Sequence, residues 1–325
     1  MGLNEVCAAI KKYNKFLITA HTSPEGDALG SELGFYSLIK SLGKEGTIIN
    51  EDKVPYGYDF LCGNKPIQLL SRESQSVKFD CFVALDCADL KRTGEVYKLN
   101  KFNQPILNID HHISNQKFGD INWVDPQASS CSEMVFKLYK KLNQKIDKDS
   151  ALALYTGMMT DTGSFRYSNT SSFTLKAVSE LLKLGVNVKE VYRNTYENIP
   201  INDIKLLLKL LPKIKFYYKS KIASFKISDE LMKAGKPSVD IADLLLSFGR
   251  SIKGVEVVVI FKENLGNKNE VRINLRSQGK ADVNKIAAFF GGGGHKSASG
   301  CTLTGNIEKI EKIVIAKIQR VLMQN

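Results

Sequence analysis

The amino-acid sequence predicts an α/β protein in two parts: an N-terminal doubly wound, mainly parallel sheet and a smaller C-terminal α/β domain with a mixed sheet. Three observations lead there. The chain has 325 residues, more than one hydrophobic core ordinarily serves. Its first half alternates short apolar runs with helical patterns, the βαβ rhythm of a parallel sheet covered on both faces. After Pro212 longer strand patterns take over. The expected division is a domain of residues 1–185, a helical linker over 186–215 and a domain of 216–325.

The runs KFLITAH (15–21), EGTIIN (45–50), DCFVALD (80–86) and QPILNID (104–110) are too short for free-standing helices and rich in Val, Ile, Leu and Phe. They read as strands buried on both faces. Between the first two, ALGSELGFYSLIKSL (28–42) has helical spacing and a stop at Gly43. From 129 to 212 the chain reads as mostly helical, through segments beginning at Ser130, Ser150, Ser171 and Ile201. Beyond it, KIKFYYKSKIASFKIS (213–228), VEVVVIFKEN (255–264) and EVRINLRS (270–277) read as strands. Residues 238–252, 282–290 and 306–323 read as helices, the last with Ile307, Ile310, Val314, Ile318 and Val321 on one stripe.

Composition narrows the function. No apolar run approaches the roughly 18–20 residues of a membrane span, and the N-terminal residues lack a signal core. Six cysteines (7, 62, 81, 87, 131 and 301) form no C-x-x-C pair; they read as reduced thiols of a cytoplasmic protein. The net charge of +12 favours an anionic partner such as nucleotide or nucleic acid. Lysines on solvated helix faces account for it equally well.

The polar residues at the strand ends say more. His21, Asp86 and Asp110 each end an apolar run, where ligands of doubly wound sheets collect. HTSPEGDALGS (21–31) adds Glu25 and Asp27, NIDHHISN (108–115) adds His111 and His112, and Asp161 ends an apolar helix before TGSFRYSNT. One such Asp is commonly a cap or turn residue. Several together would repel one another without a counter-cation. Carboxylates and imidazoles without thiolates suit Mn2+, Mg2+ or Fe2+. So many ligands imply two ions sharing a carboxylate, a pair that activates water and polarises phosphoryl oxygens. Near the C-terminus, FGGGGH (290–295) lacks G-x-G-x-x-G spacing; its glycines admit a phosphate or base close to the backbone.

In order along the chain, HTSPEGDALGS, ALDCAD, DHH and TDTGSFRYSNT resemble the four signature motifs of the DHH phosphoesterase superfamily. LRSQGKADVNKIAAFFGGGGHKSASG (275–300) resembles the glycine-rich motif of its accessory domain. The likeness covers nearly the whole chain, and in size and motif wording it is nearest to the NrnA-type oligoribonucleases (nanoRNases). The resemblance implies hydrolysis of very short single-stranded RNA, and of the 3′-phosphate of 3′-phosphoadenosine 5′-phosphate (pAp), by two Mn2+ ions. One ion would be held by His21, Glu25 and Asp86, the other by Asp27, Asp86, His111 and Asp161. His112 would face the scissile phosphate and Asp110 would orient its loop. Arg276, Ser277, Gly292, Gly293, Gly294 and His295 would grip the terminal nucleotide, with Arg166 and Ser168 adding contacts and Arg92 pairing internally with Asp89. The chain departs from the family at Glu25, where Asp is usual. No membrane partner is implied, and a homodimer is left open. Rival readings are a phosphodiesterase of pApA or cyclic di-AMP, and a non-catalytic nucleotide- or RNA-binding module.

Overall fold

The computed structural model describes residues 2–62, 67–263, 269–278 and 281–324. Asn264 and residues 279–280, parts of runs read above, lie outside the described residues. The chain forms two compact units, Met1–Asn198 and Ile199–Asn325.

The first unit opens with α1 (Leu3–Lys12), β1 (Lys15–Thr19), α2 (Gly26–Ser41), β2 (Glu45–Asn50), α3 (Asp59–Cys62) and β3 (Ile67–Leu69). It continues with β4 (Cys81–Leu85), β5 (Ile106–Asp110), β6 (Ile121–Val124), α4 (Cys131–Lys141), α5 (Lys148–Asp161), α6 (Ser172–Lys183) and α7 (Val188–Tyr196). Among the described residues the six strands form one parallel sheet in the order β3-β2-β1-β4-β5-β6. Ile18 of β1 pairs with Ile48 on one side and Val83 on the other. The chain winds outward from β1 in one direction and from β4 in the other, so the crevice between their carboxyl ends is the topological switch point. The four predicted strands are present. The short β3 and β6 add to them, too brief to show as apolar runs.

Helices α2 and α5 are buried nearly all round, and they meet through small residues. A Cβ on Gly30 would lie 2.4 Å from the Ala153 carbonyl oxygen, and one on Gly26 would lie 2.5 Å from Thr160. The first turn of α2 is thereby held beside the last turn of α5.

The second unit contains α8 (Ile201–Leu210), β7 (Lys215–Tyr217), β8 (Ile222–Ile227), α9 (Asp229–Gly235), α10 (Ile241–Ser251) and β9 (Val257–Glu263). After these come β10 (Glu270–Ser277), α11 (Val283–Phe289), β11 (Gly293–Gly294), β12 (Ala298–Thr304) and α12 (Ile307–Met323). The sheet order is β11-β12-β10-β9-β8-β7, antiparallel except for the parallel pair β8–β9. The sheet is therefore mixed, as predicted. The run 213–228 is a hairpin rather than one strand, because Tyr218, Lys219 and Ser220 all take positive φ (51°, 53° and 61°). The expected linker, 186–215, is divided: Val191 packs in the core of the first unit, and Leu206 and Leu210 in that of the second. No helix among the described residues is long and apolar enough to cross a membrane.

Candidate metal centre

Asp86 is the hub. It leaves β4 at φ 56°, a left-handed conformation uncommon for a residue with a side chain and a form of strain found at functional sites. Its N–H donates to the Ile109 carbonyl at 3.0 Å, tying the turn to β5. The buried carboxylate then lies among three imidazoles. Oδ2 is 3.5 Å from His21 Nε2, and Oδ1 is 3.4 Å from His111 Nε2 and 3.7 Å from His112 Nδ1. Oδ1 has no hydrogen-bond partner.

The other groups converge from separate elements. His21 follows β1, and its Nδ1 lies 2.8 Å from the Thr22 carbonyl, which leaves Nε2 facing Asp86. His111 Nε2 is 3.7 Å from Asp161 Oδ2 and 3.9 Å from Asp27 Oδ2. Asp27 accepts the N–H groups of Cys131 (2.6 Å) and Ser132 (2.8 Å), the first amides of α4. Those amides and the positive end of the helix hold its carboxylate in place, and each oxygen keeps a further lone pair. Asp161 ends α5, with Asn169 Nδ2 3.2 Å from its carbonyl and 3.4 Å from its Oδ2. One ligand atom each from Asp27, Asp86 and His111 lie within 4.8 Å of one another, and the same is true of Asp86, Asp110 and His112.

The electrostatics show what this crowding costs. Burial, with Asp86 and Asp161 nearby, holds the Asp27 carboxyl well above the usual range. Burial likewise raises Asp161 to about 6. Burial also opposes ionisation of Asp86, but the neighbouring imidazoles of His111, His21 and His112 overcome it and keep its pKa low. Burial disfavours the charge on His21, yet Asp86 raises it to about 9. His111 is raised in the same way, against burial, chiefly by Asp161 and Asp86. Protons thus hold the carboxylates together, and a divalent cation would do so with more charge. An orphaned buried oxygen, hard carboxylates and neutralisable imidazoles fit such an ion.

Outside this cluster, Asp110 acts through a neighbour. His112 Nδ1 lies 2.7 Å from its Oδ1, and Asn115 Nδ2 donates to its Oδ2 at 2.6 Å. Asn115 also donates to the Cys87 carbonyl (2.9 Å) and Asn108 Oδ1 (3.0 Å). Nothing in the sequence reading singled out Asn115, although its place three residues after the His pair was the available signal. Asn169, within TGSFRYSNT, carries no clearer signal.

Other predicted residues stand apart. Glu25 is the exposed N-cap of α2 and belongs to neither cluster, but it is near enough for its charge to act on His21 and Asp161. The expected Arg92–Asp89 pair does not form among the described residues. Asp89 instead accepts the Lys91 N–H at 2.9 Å, and the exposed Arg92 gives its carbonyl to the Thr22 N–H at 2.6 Å. Arg166 turns its Nε back to the Gly163 carbonyl (2.7 Å), and Ser168 is exposed.

In the second unit, β11 and β12 form a hairpin beside β10. Arg276 pairs in register with Ala298, and its guanidinium approaches Asp243 at 3.8 Å. His295 turns the hairpin, its N–H donating to the Ala298 carbonyl at 2.7 Å. Ser277 is buried, its hydroxyl donating to the Ala281 carbonyl at 2.7 Å, so it braces the loop. The glycines differ among themselves. A Cβ on Gly292 would lie 2.2 Å from the Gly300 carbonyl oxygen, and one on Gly294 would lie 2.5 Å from that of Ala298. These two serve the contact with β12. Gly293 has only Asn284 Oδ1 near it, at 3.9 Å.

Comparison with known proteins agrees with this architecture. Residues 15–158 match the DHH family, N-terminal domain, and residues 233–323 match the DHHA1 domain; the chain belongs to the DHH family of phosphoesterases. Across its length it is 31% identical over 292 residues to the bifunctional oligoribonuclease and PAP phosphatase NrnA of Thermus thermophilus, covering 89% of this chain and 84% of that protein. To the protein of the same name from Bacillus subtilis it is 28% identical over 302 residues, 92% of each. An exopolyphosphatase-related protein from Bacteroides fragilis has a similar structure, with a TM-score of 0.87 at 30% identity over 98% of this chain and 95% of that one.

Proposed function

We propose that this phosphoesterase hydrolyses very short oligoribonucleotides to mononucleotides and removes the 3′-phosphate of pAp, using two Mn2+ ions, in the cytoplasm. The observation that carries the reading is Asp86 at the switch point, whose orphaned Oδ1 faces His111 and His112 while Oδ2 faces His21. In this reading His21, Glu25 and Asp86 would hold one ion, and Asp27, Asp86, His111 and Asp161 the other. The ions supply the charge that activates water and polarises the phosphoryl group.

The chain's own groups do the rest. Asp110 holds His112 through Nδ1, so that Nε2 can hydrogen-bond the phosphoryl or departing oxygen as charge develops there. Arg276, His295 and the backbone at Gly293 hold the terminal nucleotide, and the names of the full-length relatives support the choice of substrate. The test is a Mn2+ assay against pAp, 2- to 5-mer RNAs, pApA and cyclic di-AMP side by side. Turnover of pAp and dinucleotides, abolished in Asp86→Ala together with metal content, is the expected result. Turnover confined to pApA or cyclic di-AMP, or binding without turnover, would replace this reading.

A further inference from the structure

A buried polar trio links β1 to α2 behind the candidate metal centre. Strand β1 follows β2 from Lys15↔Glu45 to Ile18↔Ile48, then bends off to deliver His21, while β2 continues beside β3 as far as Asn50↔Leu69. Where β1 departs, the Asn50 side chain takes over. Its Oδ1 accepts the Ala20 N–H at 3.4 Å and the Thr19 hydroxyl at 3.2 Å. Its Nδ2 donates to Glu32 Oε2 at 2.9 Å. Glu32 lies on α2, five residues beyond Asp27, and Thr19, Glu32 and Asn50 are all at most 2% exposed.

We infer that Asn50 and Glu32 are positioning residues, a clamp that sets the end of β1, and so His21, against the α2 turn that carries Asp27. This rests on the two-ion reading, in which His21 and Asp27 serve different ions joined at Asp86. Residue chemistry supports it. The side-chain amide offers a donor and an acceptor on one short planar group, and Glu32 takes the donor, which forces Oδ1 to face β1. A fully apolar trio could fill the same space, since buried polar groups are seldom needed for stability alone. The hydrogen bonds through Asn50 fix one geometry, with Glu32 engaged through Oε2 while its Oε1 has no partner. Burial raises Glu32 to about 8, so near neutral pH it is a hydrogen-bonding group and not a rival anion for the metals.

The experiment is Mn2+ titration of the full chain by calorimetry, with electron paramagnetic resonance to recognise an ion pair and circular dichroism to verify folding. Asn50→Leu and Asn50→Ala should weaken one of the two ions by about 10- to 100-fold, the usual cost of losing a residue that orients a ligand. The other ion should stay within about twofold, and on a dinucleotide kcat should fall more than KM. Glu32→Gln, which keeps an acceptor of the same shape, should restore binding to near the parental value, whereas Glu32→Leu should not. Either folded Asn50 variant binding both ions as the parent does overturns the clamp. A parent that binds fewer than two ions overturns the two-ion reading instead.

Discussion

At Asp86 one residue combines a strained backbone with a carboxylate among three imidazoles. Because Asp86 raises His21 to about 9, His21 carries a proton at pH 7.5 that a metal must displace. Mn2+ binding should therefore release protons at pH 7.5 and tighten as pH rises toward 9. Calorimetry in buffers of different ionisation enthalpy measures this, and heats independent of buffer would refute it. Glu32 makes a second prediction. Its pKa rises from 4.5 to about 8 in the folded chain, so between those values the folded state holds a proton that the unfolded chain releases. This contribution is complete below pH 4.5 and is lost, at about 1.4 kcal/mol per pH unit, as pH rises toward 8. Glu32→Gln should gain stability over the metal-free parent progressively from pH 5 to 8, read as urea midpoints. A constant difference would count against the assignment.

Among the elements, α2 and α5 bring the acids together, and glycines let them do so. A Cβ on Gly157 would lie 2.0 Å from Ser132 Oγ and 2.8 Å from Asp27 Oδ1. Gly157→Ala should cost about 1–3 kcal/mol through overpacking and should weaken Mn2+ binding by shifting Asp27. An unchanged melting temperature with unchanged metal affinity would show that the helices can separate freely. The hairpin allows a cleaner contrast. Gly292→Ala should lower the melting temperature, because its methyl would strike β12. Gly293→Ala should melt as the parent does and raise KM for a dinucleotide, if the backbone there meets the substrate.

For the molecule as a whole, the proposed reading separates chemistry in the first unit from grip in the second. A charge-assisted Arg–phosphate contact is worth about 1.5–3 kcal/mol, so Arg276→Ala should lower kcat/KM on a dinucleotide by roughly 10- to 150-fold. The loss should fall mainly on KM, with metal content unchanged, since every residue proposed above to hold an ion precedes residue 162. Parental kinetics would assign Arg276 another role.

Strand runs, the βαβ rhythm, the change of pattern after Pro212 and the acids and histidines at strand ends were all legible in the sequence, because apolar periodicity and turn chemistry act over a few residues. The stripe of α12 was too: Ile310, Val314 and Ile318 are buried. What only the tertiary structure decided was which polar residues meet. Helix α2 was legible as a helix, but its burial on nearly every face was not. Asp89 takes a backbone amide next to it in place of Arg92, and Ser277 turns inward, choices that depend on local loop geometry. Residues 21, 27, 86, 111 and 161 converge through the switch in strand order and the close packing of α2 on α5. Glu25, two residues from Asp27, remains at the rim. The physical reason is range: composition and spacing encode each segment's conformation, while the contacts between distant segments follow from how those segments pack.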